Sequence, residues 1–201
     1  MSLTQPRAVS IPQDSAIARF FDSMNLSDAY AIDLPAGTAR NPEVLARFVI
    51  LHQPRWVRAL MRIRDALVAG VGLKTARLLV SSGVDASRIG IFKVYDSNAL
   101  EVVMGEDDKH LDFRVSVLCR PREHASADGG GPCLVLSTVV HCHNRLGRMY
   151  IAFVAPFHRL VVQAFLRRAA KTGWPIEAES QWVGDVCFPD HGSRHSLFRD
   201  P

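Results

Sequence analysis

The sequence predicts a single α+β domain in which an antiparallel sheet packs against a long C-terminal helix. Three observations carry this expectation. Strand-type alternation runs from Gly90 to Ala155 with short turns between segments. An apolar stripe with helical spacing follows from Pro156 to Lys171, and two helical segments broken by Pro54 come after one early strand. A chain of 201 residues suits one hydrophobic core. We divide it into an N-terminal arm (1–27), the main domain (28–173) and a C-terminal tail packed on that domain (174–201).

The arm carries Pro6 and Pro12 and ends in a short amphipathic turn through Ile17, Phe20 and Phe21. Asp28 to Leu34 reads as a strand, with Tyr30 and Ile32 set against Asp28 and Ala29, and Pro35 with Gly37 ending it in a turn. From Pro42 the spacing of Val44, Leu45, Phe48 and Val49 paints one helix face. Pro54 lacks a donor and clashes with the preceding turn, so the helix breaks near Gln53. A second helix then runs through Trp56, Leu60, Ile63 and Leu67 until Gly70 and Gly72 loosen it.

Beyond Leu78 to Val80, whose pattern is undefined, strands are expected at Gly90–Tyr95, Leu100–Gly105, His110–Arg120, Cys133–His143 and Arg148–Ala155. Their short connections, such as Asp96–Asn98, Glu106–Lys109 and Asn144–Gly147, require antiparallel neighbours. The glycine-rich stretch His124–Gly131 reads as a loop. In the last helix, Pro156 stands at the start, Arg167, Arg168 and Lys171 lie near the end, and Gly173 follows, an arrangement that capping and dipole physics favour.

A hydrophobic fraction of 48% and a charged fraction of 22% exclude disorder and fibrous repeats. The charge of +4 is mildly basic, yet no Lys/Arg block forms a nucleic-acid footprint. Arg55, Arg58 and Arg62 read as a solvated helix face. The N-terminus lacks an apolar signal core, and no later window reads as the ~20 apolar residues of a membrane span. We therefore expect a cytoplasmic protein with no nucleic-acid partner and no membrane span. Cys119, Cys133, Cys142 and Cys187 are irregularly spaced and read as free thiols.

The order of elements is similar to the helix-grip fold of START-like and birch-pollen-allergen-like (SRPBCC-like) proteins, in which a curved sheet wraps the last helix. The segments GEDDKHLDFRVSV and HNRLGRMYIAFVAPFHRLVVQAFLRRA, with PRWVRALMRIRDALVAGVGLK, resemble a bacterial domain family of unknown function, numbered twenty-eight sixty-seven. The likeness runs from about Asp28 to Gly173. It implies a fold and transfers no reaction or catalytic residue. Some relatives look like appendages to nucleotide-sugar-epimerase-like domains. Here no GxGxxG turn follows a strand, so no nicotinamide or other cofactor is expected.

Function is then expected between sheet and helix, in a cavity for a small lipid-like, aromatic or polyketide-like molecule. Phe113 and Phe153 from the sheet would face Leu160, Ala164 and Phe165 from the helix. On the other parity of its strand, the ladder His110, Asp112 and Arg114 has two readings. It is either solvated, or it faces inward to orient a carbonyl or carboxylate for ligand binding or for a cyclase, isomerase or hydrolase. An interaction protein whose interior is filled by its own side chains is a third possibility. His141 and His143 share a strand face, but no third or fourth metal ligand can be named beyond His110 or Asp112, so no metal is expected. The acidic turn Glu106–Asp108 is too short for a calcium loop. His158 could serve as a general base, but without a carboxylate partner it reads as structural.

Overall fold

The structure, a computed structural model, describes residues 5–57, 59, 60, 62, 88–120 and 132–177. Seven strands form one antiparallel sheet: β1 (Arg7–Val9), β2 (Leu26–Asp33), β3 (Arg88–Ile89), β4 (Phe92–Ser97), β5 (Glu101–Asp107), β6 (Leu111–Arg120) and β7 (Cys133–Cys142). Their spatial order is β1-β2-β7-β6-β5-β4-β3. The later strands form a meander, and β2 closes it by pairing with β7 along its whole length, Leu26 opposite Val140 and Asp33 opposite Cys133. A 3-10 helix (Ala16–Arg19), α1 (Pro42–Leu51) and the long α2 (Arg145–Thr172) complete an α+β domain of helix-grip layout.

Local chemistry accounts for most of these elements. The Asn41 side chain accepts hydrogen bonds from the backbone N–H groups of Glu43 and Val44, and Pro42 opens α1 where a missing donor costs nothing. The helix buries Leu45, Ala46 and Val49. After Pro54 helical backbone resumes at Arg55, while the rest of the expected second helix, Leu78–Val80, the loop His124–Gly131 and the tail beyond Glu177 lie outside the described residues. Gly90 adopts φ 61° in the tight turn joining β3 to β4, so the strand expected at Gly90–Tyr95 starts two residues later.

The main correction concerns Arg148–Ala155, which is helix, not strand. α2 begins at Arg145, capped by the Asn144 side chain accepting from the Gly147 N–H at 3.0 Å. A Cβ on Gly147 would meet the His110 carbonyl oxygen at 2.3 Å, so this first turn seats directly on the start of β6. The run from Met149 to Ala155 is apolar all round: Ile151 is buried while Met149 and Phe153 are exposed. Neither helical nor strand periodicity can surface from such a run. Pro156 is consequently interior to α2 and on its exposed side, where the carbonyl it leaves unbonded, that of Ala152, also belongs to an exposed residue. Continuous over 28 residues, α2 is also long and apolar enough by length and composition to cross a membrane, which corrects the expectation that no window reaches that mark. One such helix is weak evidence of a span, because the core helix of a soluble protein passes the same test, and α2 buries Ile151, Val161, Val162, Leu166 and Ala169.

The front of the sheet holds the main core. Ile32, Leu134, Met104 and Val117 meet Leu45 and Val49 of α1 and Val162 and Leu166 of α2. Each such side chain contributes roughly 1.5–3 kcal/mol. The back is covered by the N-terminal segment. Where an arm is expected, Arg7–Val9 pairs with β2, and Val9 and Ile11 pack on Ala29, Ala31, Leu118 and Val135. The 3-10 helix follows, burying Ile17 completely.

Candidate functional site

Between the front of the sheet, α1 and α2 lies a cavity of about 630 Å³. That size suits a small molecule. Its walls are chiefly apolar, with Val49 and Ile50 from α1, Met104 and Phe113 from the sheet, and Val161 and Phe165 from α2. Leu51 and Arg62 line it although both are exposed, which marks its opening at the end of α1.

Three polar side chains converge on one wall. β2 presents Leu26, Asp28, Tyr30 and Ile32 to the front, so Asp28 shares the core face with Tyr30 and Ile32 instead of opposing them as the sequence suggested. Thr138 is the direct cross-strand partner of Asp28 and lies between Leu136 and Val140 on the cavity face of β7. His158, in the middle of α2 between Ile151 and Val161, reaches over both strands and places Nε2 3.5 Å from Asp28 Oδ1. That separation brings the imidazole beside the carboxylate but is too long for a well-formed hydrogen bond. Both Asp28 oxygens, Thr138 Oγ1 and His158 Nε2 are in fact buried with no hydrogen-bond partner. An unpaired buried polar group costs about 1–3 kcal/mol, so four such atoms, on the cavity residues Thr138 and His158 and on Asp28 beside them, call for a partner. Chemically the trio can orient a hydroxyl or carbonyl and can hold or move a proton.

The residues expected at the site divide. Phe113 and Phe165 line the cavity. Phe153 lies on α2, not on the sheet, and is 64% exposed; Leu160 is 59% exposed on the same outer side, and Ala164 is half-buried outside the lining. The alternative that Asp112 and Arg114 face inward is corrected, because they project from the back of the sheet, and His110 stands at the end of β6. Arg114 is ion-paired with Asp107 at 2.7 Å, and its guanidinium lies 3.6 Å from the Tyr95 ring centre with Phe20 and Phe21 above it. Asp112 pairs with His143 at 3.1 Å, and His110 Nδ1 meets the Asn144 amide at 3.0 Å. His141 Nδ1 lies 2.9 Å from the Ser23 carbonyl oxygen. Among the described residues no group of three or more His, Cys, Asp or Glu converges as metal ligands.

Electrostatics on the back follow from the same contacts. Burial, the hydrogen bond to Asp107 and nearby acids push the Tyr95 phenol well above its ordinary range, against the Arg114 charge. Burial raises the Asp107 carboxyl, but hydrogen bonds from Tyr95 and Arg114 and the Arg114 charge outweigh it, and the net shift is downward. Cys119, Cys133 and Cys142 are free, and burial pushes each thiol up. Asp28, Thr138 and His158 were not singled out as a site from the sequence. A signal existed: each is a polar residue at a position whose spacing places its neighbours in the core.

No curated protein and no solved structure matches the chain. A family model described as "Protein of unknown function (DUF2867)" matches residues 20–165 and so spans β2, β7 and the portion of α2 that carries His158. With the trio and both walls of the cavity inside the matched region, the chain belongs to this family of proteins of unknown function.

Proposed function

We propose that the protein binds a small, largely apolar molecule bearing one hydroxyl or carbonyl group, held in the cavity between the sheet and α2. The observation that carries this reading is the set of buried, unpartnered polar atoms of Thr138 and His158, which line a chiefly apolar cavity, and of Asp28 directly beside them. The ligand's apolar body would replace empty space, and its polar group would satisfy those atoms. Likeness to START-like and birch-pollen-allergen-like proteins supports the reading, as does the helix-grip layout. On this reading the protein works in the cytoplasm, with the small molecule as its partner.

A thermal-shift screen of fatty acids, sterols and aromatic polyketides tests it. A ligand at a hundredfold excess over its Kd adds about 2.7 kcal/mol, or about 5–10 °C for a chain of this size. Val154→Trp, at a half-buried lining position, is expected to fill the cavity and abolish the shift while the protein still folds. A panel without hits, together with a structure in which side chains fill the interior, would sink the proposal and favour an interaction protein.

A second, enzymatic reading is favoured by one observation, the approach of Asp28 to His158. His158 would take a proton from a carbon beside a carbonyl and return it to another carbon of the same molecule, an isomerisation needing no co-reactant. Solvent deuterium entering a bound ligand with the native protein, but not with His158→Gln, would separate catalysis from binding.

A further inference from the structure

The outer side of α2 lies away from the cavity, yet among the described residues it concentrates the exposed apolar side chains. Among the described residues nine large apolar side chains are exposed, and five of them, Leu146, Met149, Phe153, Phe157 and Leu160, belong to α2. Their spacing of three and four residues sets them in one stripe along the helix, opposite the buried stripe of Ile151, Val162 and Leu166. Met149 and Phe153 are 70% and 64% exposed, and the rings of Phe153 and Phe157 touch at 5.7 Å between centres. A contiguous patch of this kind marks an interaction surface.

Charge identifies the partner. The 28 residues of α2 contain no Asp or Glu, but they include Arg145, Arg148, Arg159, Arg167, Arg168 and Lys171, all exposed. At about 100° per residue, Arg145 flanks the stripe directly and the exposed Arg159 and Arg148 lie further round the helix on the same side, while Arg167, Arg168 and Lys171 surround its C-terminal end. A second copy of the chain would bring two such basic faces together, which charge repulsion disfavours. An apolar stripe whose own helix carries cations and no acid suits a surface that is apolar within and anionic at its rim.

We propose that the outer face of α2 docks on an anionic lipid bilayer, lying in the plane of the interface with Met149, Phe153, Phe157 and Leu160 inserted among the acyl chains. Arg145, Arg148 and Arg159 would meet the headgroups. The inner face of the helix stays packed on the sheet. Docking in this way is independent of whether the cavity binds a ligand.

Co-sedimentation of the full chain with vesicles tests the proposal, comparing phosphatidylcholine alone with phosphatidylcholine containing phosphatidylglycerol. Binding to the anionic vesicles only is expected. It should weaken when salt rises from about 0.1 M to about 1 M, as the screening length falls from roughly 10 Å to 3 Å. Combining Met149→Glu with Phe153→Glu at exposed positions should lower the affinity at least about tenfold with the dichroism spectrum unchanged. Arg145→Glu with Arg148→Glu, which leaves the stripe intact, should do the same through charge alone. Absence of vesicle binding, or binding that neither pair of substitutions weakens, would overturn the proposal. So would a stable dimer that the Met149 and Phe153 substitutions dissociate, which assigns the face to a second copy, or binding to poly-glutamate in place of vesicles, which assigns it to an acidic protein.

Discussion

The two faces of the sheet treat their buried acids in opposite ways. On the back, Glu101 is 3% exposed and accepts hydrogen bonds from the hydroxyls of Ser15 and Ser116 and from the Ala16 N–H, while Arg114 is ion-paired and enclosed by aromatic rings. On the front, Thr138 is equally buried and Asp28 and His158 are partly buried, with no hydrogen bonds at their buried atoms. Around Glu101 the back is satisfied by its own N-terminal segment, and that network holds the fold together, although Arg114 Nε and Ser137 Oγ on the same face have no hydrogen-bond partner. The front retains unmet hydrogen-bonding capacity beside open space, and that combination distinguishes a binding wall from a structural one.

The largest expected effect comes from breaking the satisfied side. Glu101→Ala removes the common acceptor of Ser15, Ser116 and the Ala16 N–H, and should cost about 3 kcal/mol in denaturant unfolding while leaving any ligand-induced shift intact. A loss under about 1 kcal/mol would show that the back network is not what fastens the N-terminal segment.

Thr138→Val should have the reverse signature. It exchanges a buried, unpartnered hydroxyl for a methyl group of similar shape, so the unliganded protein should gain about 1 kcal/mol while the response to ligand weakens. Destabilisation by this change would mean that the hydroxyl has a partner, and the contrast between the faces would fail.

Smaller effects come from titration at the rim of the back face. The Asp107 carboxyl is depressed in the folded state, so its contribution is present above the unfolded value near ~3.9 and is lost as pH falls through the lower folded value. Because Asp107 is about half exposed, solvent screening limits this to a few tenths of a kcal/mol. Asp107→Asn should correspondingly flatten the acid limb of stability against pH. The Tyr95 phenol is raised, so its neutral form is the one the fold favours, and stability is lost only as pH rises from the usual tyrosine range toward the folded value. Spectrophotometric titration should find a tyrosine step well above the ordinary range, and Tyr95→Phe should remove that step.

Legibility followed the range of the interactions involved. The proline and the helical spacing of α1 were readable, because a helix start depends on residues within one turn. The strands β5 to β7 were readable within a residue or two at most ends, since alternation reports a buried face directly. Arg148–Ala155 misled because it is apolar on two sides of one helix, one facing the core and one facing outward. Phe153 therefore moved from the expected cavity to the surface. His158 was noticed and set aside for want of a carboxylate. Its partner, Asp28, is 130 residues away in sequence, and only the pairing of β2 with β7 and the crossing of α2 bring the two together.

By itself, the sequence determined the α+β class, the antiparallel run of strands, the proline-started α1 and the glycine that ends α2, because caps, turns and periodicity act over a few residues. Tertiary structure alone decided which parity of each strand faces α2, that Arg114 is enclosed on the back, and that Asp28, Thr138 and His158 share one wall. Those outcomes depend on register between strands distant in the chain, and a slip of one residue would turn every side chain to the opposite face.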